Sequence, residues 1–391
     1  YGRGDLGRTH PAQFRKVRDI LMADPRRRYV VVSAPGKRHP EDLKVTDLLY
    51  LCHRRIEQNL PFYGVFDLVA GRYTEIAVAL KLPSQFEDTL QATLAAMRWL
   101  MTDQTTPDYA ASRGEYLTAR LMACFLGWPF VDAAELVFFD DQGRLDDGRT
   151  YTAIREKLLP LERAVIPGFY GVTPRGAIKT FSRGGSDISG AIVARGVGAT
   201  VYENWTDVDG LLCADPRVVE NPRPISVVTY RELRELAYSG AAVLHPDAVS
   251  QVRRASIPVH IRNTNQPDAL GTLVVADDQA PADHTPVTGI AGRQGFTVIE
   301  LEKAGMNEEV DYARQVLTVF AEHGISIEGM PSGIDNLSVV VADGQPAGKL
   351  DVVMRDLQEQ CQPDSLEDYP NHLALIAVVG RRMRGTVGIL A

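Results

Sequence analysis

With 391 residues and a formal net charge of −8, the chain exceeds a single ordinary core and predicts two or three domains. Interspersed acidic and basic residues leave no basic stripe for nucleic acid, and no apolar run reaches the roughly 18 residues of a membrane span, nor is a charged apolar leader legible, so the expectation is a cytoplasmic protein. Cys52, Cys124, Cys213 and Cys361 are scattered without a CxxC pair, which predicts reduced thiols rather than a zinc site or a disulfide framework.

Up to about residue 265, strand-like and helix-like segments alternate, the pattern of an α/β sandwich with a largely parallel sheet. Arg28 to Ser33 (RYVVVS) reads as a strand that enters the APGK turn. The helix-like VTDLLYLCHRR follows, with Thr46 at its start. Phe86, Leu90, Leu94, Met97 and Leu100 recur at helical spacing, and Ser84 with Glu87 forms a capping-box pattern ahead of them. That stripe is core. A helix is predicted from Gly114 to Leu126, where Glu115 and, earlier, Thr46 each read either as a helix cap or as a ligand group. Strands are predicted at Ala134 to Phe139, Ala164 to Val172, Thr200 to Tyr202 and Ile257 to Arg262. Further helices fall around Ile188 to Arg195, Tyr230 to Tyr238 and Pro246 to Arg254.

Between these elements lie two polar runs. In FSRGGSD, Phe181 to Asp187, Gly184 and Gly185 permit a turn with positive φ, and Ser186 or Asp187 can cap the following helix so that free amides point outward. Arg183 adds a planar fork for a carboxylate or phosphate. Alone, the run reads equally as an ordinary turn, N-cap and surface arginine. WTDVDGLLCADPR, Trp205 to Arg217, sets polar and acidic groups at a strand end, where ligands collect. Together the two runs describe opposite ends of one site, for a phosphate donor beside a small charged acceptor. Asp215 before Pro216 reads as a turn residue, and His245 before Pro246 as a satisfied loop histidine.

Composition changes at Ala276 to Pro286 (ADDQAPADHTP), a predicted linker. Beyond it VIELEKAGM, Val298 to Met306, recurs faintly as LIAVVGRRM, Leu375 to Met383. After the first copy a helix is predicted from Asn307, with Val310, Ala313, Leu317, Phe320 and Ala321 on one face and Glu308 and Glu309 at the N-terminal dipole. Gly324 ends that helix, and ISIEGM and LSVVVA supply two more strands. This βαββ order is the shape of a small ligand-binding module, and the second copy stops just after its first strand.

VSAPGK, KVTDLL, RGEYLTARL, FSRGGSD, WTDVDGLLCADPR, VLHPDAV, IRNTN and MNEEV occur in this order over nearly the whole chain. On these motifs the chain resembles the aspartate kinases of the amino-acid kinase family. The resemblance implies a carbamate-kinase-like three-layer α/β sandwich with a mainly parallel sheet over residues 1–275 and a linker over 276–286. ACT regulatory units of βαββαβ form follow over 287–391, the first about 287–370 and the second, incomplete, about 371–391. It also implies transfer of the ATP γ-phosphoryl group to the side-chain carboxylate of L-aspartate, which gives 4-phospho-L-aspartate for lysine, threonine and methionine synthesis. A carboxylate nucleophile is already ionised at neutral pH, so this chemistry needs no general base and reduces to in-line alignment and charge neutralisation.

The resemblance assigns Arg183 to the substrate α-carboxylate and Glu115 to its α-ammonium. Ser33, Thr46, Gly184, Gly185 and Ser186 complete the acceptor side. Asp187 orients the phosphate-binding lysine or the metal, which makes Arg183 and Asp187 the expected catalytic pair. Gly2, Thr206, Asp207, Leu212, Arg217, Ala242 and Val243 are the implied ATP contacts, with Mg²⁺ bridging the phosphates and no protein metal cluster. Met306 and Asn307 form the implied effector turn for lysine, threonine or both, and the ACT units imply a homodimer or higher homo-oligomer. There are departures. The family opens on a KFGG strand whose lysine contacts the transferring phosphate; Tyr1, Gly2 and Leu6 align just after it, so that lysine belongs to a segment ahead of Tyr1 or to a natural deletion. Arg3 replaces a phosphate-loop glycine, Leu212 stands where many members have tyrosine, and Ala242 where some have lysine. These changes sustain one alternative, a weak or inactive amino-acid-binding regulatory homologue; within enzymes the second is another carboxylate kinase of the same fold, such as a glutamate kinase. The fused ACT-like repeat argues against the second.

Overall fold

In a computed structural model, residues 11–181, 184–240, 244–281, 286–381 and 383–388 are described. The chain divides into two compact units, one built on the polypeptide up to Gly289 and again from Val379, the other on Ile290–Val378. Among the described residues no helix is long and apolar enough to cross a membrane.

The first unit begins with α1 (Pro11–Ala23), β1 (Tyr29–Val32), α2 (Val45–Glu57), α3 (Tyr63–Leu80), α4 (Ser84–Leu100) and α5 (Pro107–Leu126). It continues through α6 (Asp147–Leu158), β2 (Ala164–Pro167), β3 (Tyr170–Val172), β4 (Ile178–Thr180), α7 (Gly185–Val197) and β5 (Tyr202–Thr206). It closes with β6 (Val227–Thr229), α8 (Tyr230–Tyr238), α9 (Pro246–Arg254), β7 (Val259–Asn263) and β8 (Thr272–Val275). β1 pairs in parallel with β2, in the register Tyr29 opposite Ala164. The larger sheet runs β5-β7-β8-β6, in which β5/β7 and β6/β8 are parallel and β7/β8 antiparallel. Residues buried on both sides mark β2, as expected of a strand covered by helices on each face. β1 packs between α5 and α7, and α5 is the central helix of the N-terminal half, with Leu117, Leu121 and Met122 in one core with Phe14, Leu49, Phe66 and Tyr73.

The second unit holds β9 (Gly289–Glu302), α10 (Tyr312–Glu322), β10 (Asn336–Ala342), α11 (Leu350–Cys361) and β11 (Ser365–Val379). Its sheet order is β10-β9-β11, with β9 and β10 antiparallel from Glu302 opposite Asn336. Ile299, Leu301, Leu337, Val339 and Val341 alternate on the strands and bury one face against Val316, Phe320, Val353 and Leu357 of the two helices.

Several expectations change. Ala134 to Phe139 is not a strand: Asp132 accepts from the Ala134 amide and starts a 3-10 turn over Ala133–Glu135, which leaves Phe138 and Phe139 only isolated bridges. Ala164 to Val172 is not one strand but β2 and β3, broken at Gly168 and Phe169. The Ser84–Glu87 capping box does not form, because Ser84 is already helical and Pro83 occupies the cap. Leu100, at the end of that stripe, is exposed. α10 starts at Tyr312 rather than Asn307, since a 3-10 turn over Met306–Glu308 and a left-handed Asp311 intervene, and Val310 is 87% exposed. ISIEGM contributes only a bridge at Gly329.

A capping box does form at α8. The Glu232 amide donates to Thr229 Oγ1, and the Thr229 amide donates to Glu232 Oε2 at 2.8 Å. Glu232 is buried and also accepts from the Thr288 hydroxyl, with Arg381 at 3.5 Å. Glu232→Ala strips the anion from all these buried donors, so a loss of about 3 kcal/mol is expected in urea unfolding. An unchanged midpoint would contradict that hub role.

Candidate active site

The site grows from the C-terminal end of β1. Gly114 of α5 has no side chain, and a Cβ there would lie 2.8 Å from that of Ala34, so the helix and the segment after β1 meet at backbone distance. This approach lets the Ala34 amide donate to Glu115 Oε1 at 3.1 Å. Glu115 is 5% exposed, and its Oε2 is buried with no hydrogen-bond partner among the described residues. Burial pushes its carboxyl up to about 8, against the opposing pull of the Ala34 amide and the Arg113 charge. A mid-helix position eight residues past the true helix start at Pro107 removes the capping alternative, since Thr106 caps α5 by accepting from the Tyr109 amide. Tyr50 of α2 has its phenol raised first by burial and then by the charges of Asp108 and Glu115. Asp108 in turn accepts from the Thr180 hydroxyl at 2.6 Å, which ties the end of β4 to the first turn of α5. Ser33 and Thr46 are both half-buried, at the end of β1 and in the first turn of α2.

α7 supplies the second element. Gly184 is its N-cap at φ 77°, and a Cβ there would come within 2.8 Å of His245 Cβ. At Gly185 a Cβ would fall 2.4 Å from the Phe169 ring, and at Gly168 one would fall 2.7 Å from Ser186 Oγ. Phe169 is itself left-handed at φ 79°, and its amide donates to Ser189 Oγ at 2.9 Å. The loop after β2, the start of α7 and the start of α9 therefore press together without room for side chains. In the first turn of α7 the Asp187 amide donates to the Gly184 carbonyl at 3.0 Å, and a helix start of this kind favours an anion at its open end. Asp187, 5% exposed, lies in that first turn and accepts from Asn204 Nδ2 at 3.0 Å. His245 caps α9, its Nδ1 accepting from the Asp247 amide, a loop role as expected.

The third element is the end of β5. Thr206 is fully buried, its hydroxyl donates to Asp207 Oδ1 at 3.3 Å, and its carbonyl accepts from the Thr264 amide. Asn263 Nδ2 donates to Asp209 Oδ1 at 2.6 Å, while Asn263 Oδ1 accepts from the Asn265 amide. Asn265 is reached by Gln13 and Lys16 of α1. The IRNTN motif thus ties α1 to the TDVD segment. Leu212 is half-buried and bridges Pro224. Arg217 is exposed and pairs with Asp215 at the following turn, whose carboxyl its hydrogen bonds and charge hold at about 2.

Gly2, Arg183, Ala242 and Val243 lie outside the described residues. Met306 and Asn307 lie in the second unit, on the 3-10 turn after β9, where the Ala304 and Gly305 amides donate to Asp364 and Asp335. Asn204, Asp108 and Phe169 were not anticipated; only the alternation of β5 pointed to an inward Asn204. Among the described residues no cluster of three or more His, Cys, Asp or Glu side chains has metal-binding spacing.

Residues 53–263 match the amino acid kinase family. The chain is 39% identical to aspartokinase 3 of Bacillus subtilis over 97% of its own length and 86% of that protein. Among solved structures it is similar to the allosteric aspartate kinase of Clostridium acetobutylicum, at a TM-score of 0.89 and 46% identity, over 98% of this chain and 87% of that one. It shares the fold of Escherichia coli aspartokinase III, solved with aspartate and ADP, at a TM-score of 0.73 and 24% identity over 96% of this chain and 86% of that one.

Proposed function

The chain belongs to the aspartate kinases of the amino acid kinase family, and on that premise we propose that it transfers the γ-phosphoryl group of ATP to the side-chain carboxylate of L-aspartate. The observation that carries the acceptor assignment is Glu115, a buried carboxyl with one oxygen unmet at the end of β1. A small cationic group resolves that situation, and the α-ammonium of an amino acid is such a group. Ser33, at the end of β1, and Thr46, in the first turn of α2, are the hydroxyls assigned to the same acceptor, and Arg183 grips the α-carboxylate. The start of α7 directs amides at the transferring phosphoryl group.

One carboxylate oxygen of the substrate forms the new P–O bond, and the bond from the γ-phosphorus to the β,γ-bridging oxygen breaks. ADP leaves with that electron pair, and no proton moves. Thr206, Asp207, Leu212 and Arg217 hold the nucleotide, together with Gly2, Ala242 and Val243. The described residues present isolated carboxylates rather than a cage, which suits a Mg²⁺ ion carried mainly by phosphates and water, with Asp187 and Asp207 as the protein groups that would hold it. When bound it neutralises phosphate charge. Coverage of 97% of this chain by an aspartokinase favours aspartate over another carboxylate acceptor.

Catalysis is placed in residues 1–275, joined by 276–286 to regulatory ACT-type units over 287–391. Met306 and Asn307 form the effector turn for lysine or threonine, in a homo-oligomer. A coupled ADP-release assay on the full-length protein with Mg-ATP tests the reading. Turnover with L-aspartate is expected, with at most about a hundredth of it with L-glutamate and inhibition by added lysine or threonine. Silence with aspartate would sink it.

A protonic signature accompanies binding. At pH 7 the free Glu115 carboxyl, pushed up to about 8, holds its proton, and an arriving ammonium drives it off. Aspartate binding at pH 7 is therefore expected to release about one proton, and almost none at pH 9. Calorimetry in two buffers of different ionisation enthalpy reads this directly; equal release at both pH values would exclude Glu115 as the source.

A further inference from the structure

The loop between β1 and α2 carries Ala34, whose amide touches Glu115, and ends at the helix start that carries Thr46. Residues 37–41 of this loop are all exposed, so little apolar burial holds it in place. Its interior anchor is Arg72 of α3, 3% exposed. Arg72 Nη1 donates to the Leu43 carbonyl at 2.9 Å and to the Gly36 carbonyl at 3.4 Å, and Nη2 donates to Asp42 Oδ1 at 2.8 Å. Asp42 Oδ2 accepts from the Arg38 amide at 2.9 Å and from Arg38 Nε at 3.0 Å. One guanidinium therefore draws both ends of the exposed segment onto α3. The next residue of the same helix grips the opposing wall: the Tyr73 hydroxyl donates to the Gly114 carbonyl at 2.7 Å, one residue before Glu115.

We propose that Arg72 is a positioning residue for the amino-acid acceptor, closing the 36–43 loop so that Ala34 and Glu115 keep the spacing the substrate ammonium requires. α3 is then the common base of the acceptor pocket, with Arg72 setting one wall and Tyr73 the other. A buried guanidinium meets its three acceptors only when the loop lies down, because losing them would leave a charge and several polar atoms buried without partners. Lysine cannot reproduce this, since it lacks the planar fork. The inference rests on the reading of Glu115 as the ammonium site, and it concerns only the acceptor side. TDVD and IRNTN, at the nucleotide end, are held by separate bonds among themselves and to α1.

The test is steady-state kinetics of the full-length protein with aspartate and Mg-ATP varied separately. Arg72→Met is expected to raise KM for aspartate at least about tenfold while KM for ATP stays within about twofold, as for a misplaced binding wall. Arg72→Lys is expected to fall between Arg72→Met and the unaltered protein. Asp42→Asn keeps both carbonyl contacts and is expected to shift KM for aspartate about threefold in the same direction; it decides the matter if Arg72→Met does not fold. A KM for aspartate that stays within about twofold in a folded variant, or a parallel rise in both KM values, overturns the proposal. Glu115→Gln serves as the separate control. If it leaves KM for aspartate unchanged, the site assignment itself fails; if it raises it while the Arg72 and Asp42 variants do not, only the clamp fails.

Discussion

Glu115→Gln is expected to raise KM for L-aspartate by about 100-fold while leaving KM for ATP within about twofold. The substitution keeps the oxygen that accepts from the Ala34 amide and the volume of the side chain, so the contact between α5 and the β1 end survives. It removes the anion from a buried position, and the substrate ammonium then enters without a counter-charge, at a cost of about 3 kcal/mol, equivalent to two decades in affinity. Stability is expected to move the other way. The carboxyl lies at about 8 in the folded protein against an ordinary 4.5. Between those two values the unfolded chain has released a proton that the folded one still holds, so stability falls as pH rises from 4.5 to 8 and is flat above. The glutamine variant lacks this loss. Urea unfolding at pH 5 and at pH 8.5 should show the variant gaining on the unaltered protein by a few kcal/mol across that interval. An unchanged difference between the two pH values would mean that Glu115 is solvated in the folded protein, and the kinetic expectation would fall with it.

What could be read from residue order alone divides by physical cause. FSRGGSD was legible in part: a left-handed position demands glycine, and Gly184 at φ 77° meets that demand, but the cap is Gly184 itself without a side-chain bond, and Ser186 and Asp187, the expected caps, lie inside the helix. The alternation of strands and helices, and β1, α8, α9 and β7 near their expected positions, followed from local periodicity and turn chemistry. The steric tightness around α7 was not legible. It depends on Phe169 breaking one expected strand into β2 and β3, a conformation that a phenylalanine adopts only because Ser189 and Phe181 bond its backbone from afar. Ser84 and Glu87 carry a capping-box pattern and form none, whereas Thr229 and Glu232 carry the same pattern and form it. The difference is Pro83, which takes the cap in the first case. Arg72 offered no signal, for a lone arginine in an apolar helix reveals its role only once the loop it grips has folded onto it.

Gly185→Ala is expected to lower kcat/KM by about 100-fold or more, through displacement of the first turn of α7. Gly185 is not at positive φ, so alanine meets no backbone strain there; what it meets is the Phe169 ring at 2.4 Å, Phe181 Cβ at 3.1 Å and Phe169 Cα at 3.2 Å. The ring cannot simply turn away, because the Phe169 amide donates to Ser189 Oγ and its carbonyl accepts from the Phe181 amide, which fixes the backbone from both sides. The helix start has to yield instead, and with it the amides that the proposed function directs at the phosphoryl group and the Asp187 carboxylate held by Asn204. Overpacking of this kind costs about 1–3 kcal/mol of stability. Gly198→Ala, at the other end of the same helix, isolates the alternative cause. That residue sits at φ 64° with nothing within 4 Å of an added Cβ, so alanine there carries left-handed strain of about 1 kcal/mol and no clash. Its unfolding midpoint should drop while kcat stays unchanged. If both variants lose stability and neither loses turnover, the start of α7 is not the anion-binding end of the site; if only Gly185→Ala loses turnover, displacement of those amides by steric pressure, rather than a general weakening of the helix, accounts for the loss.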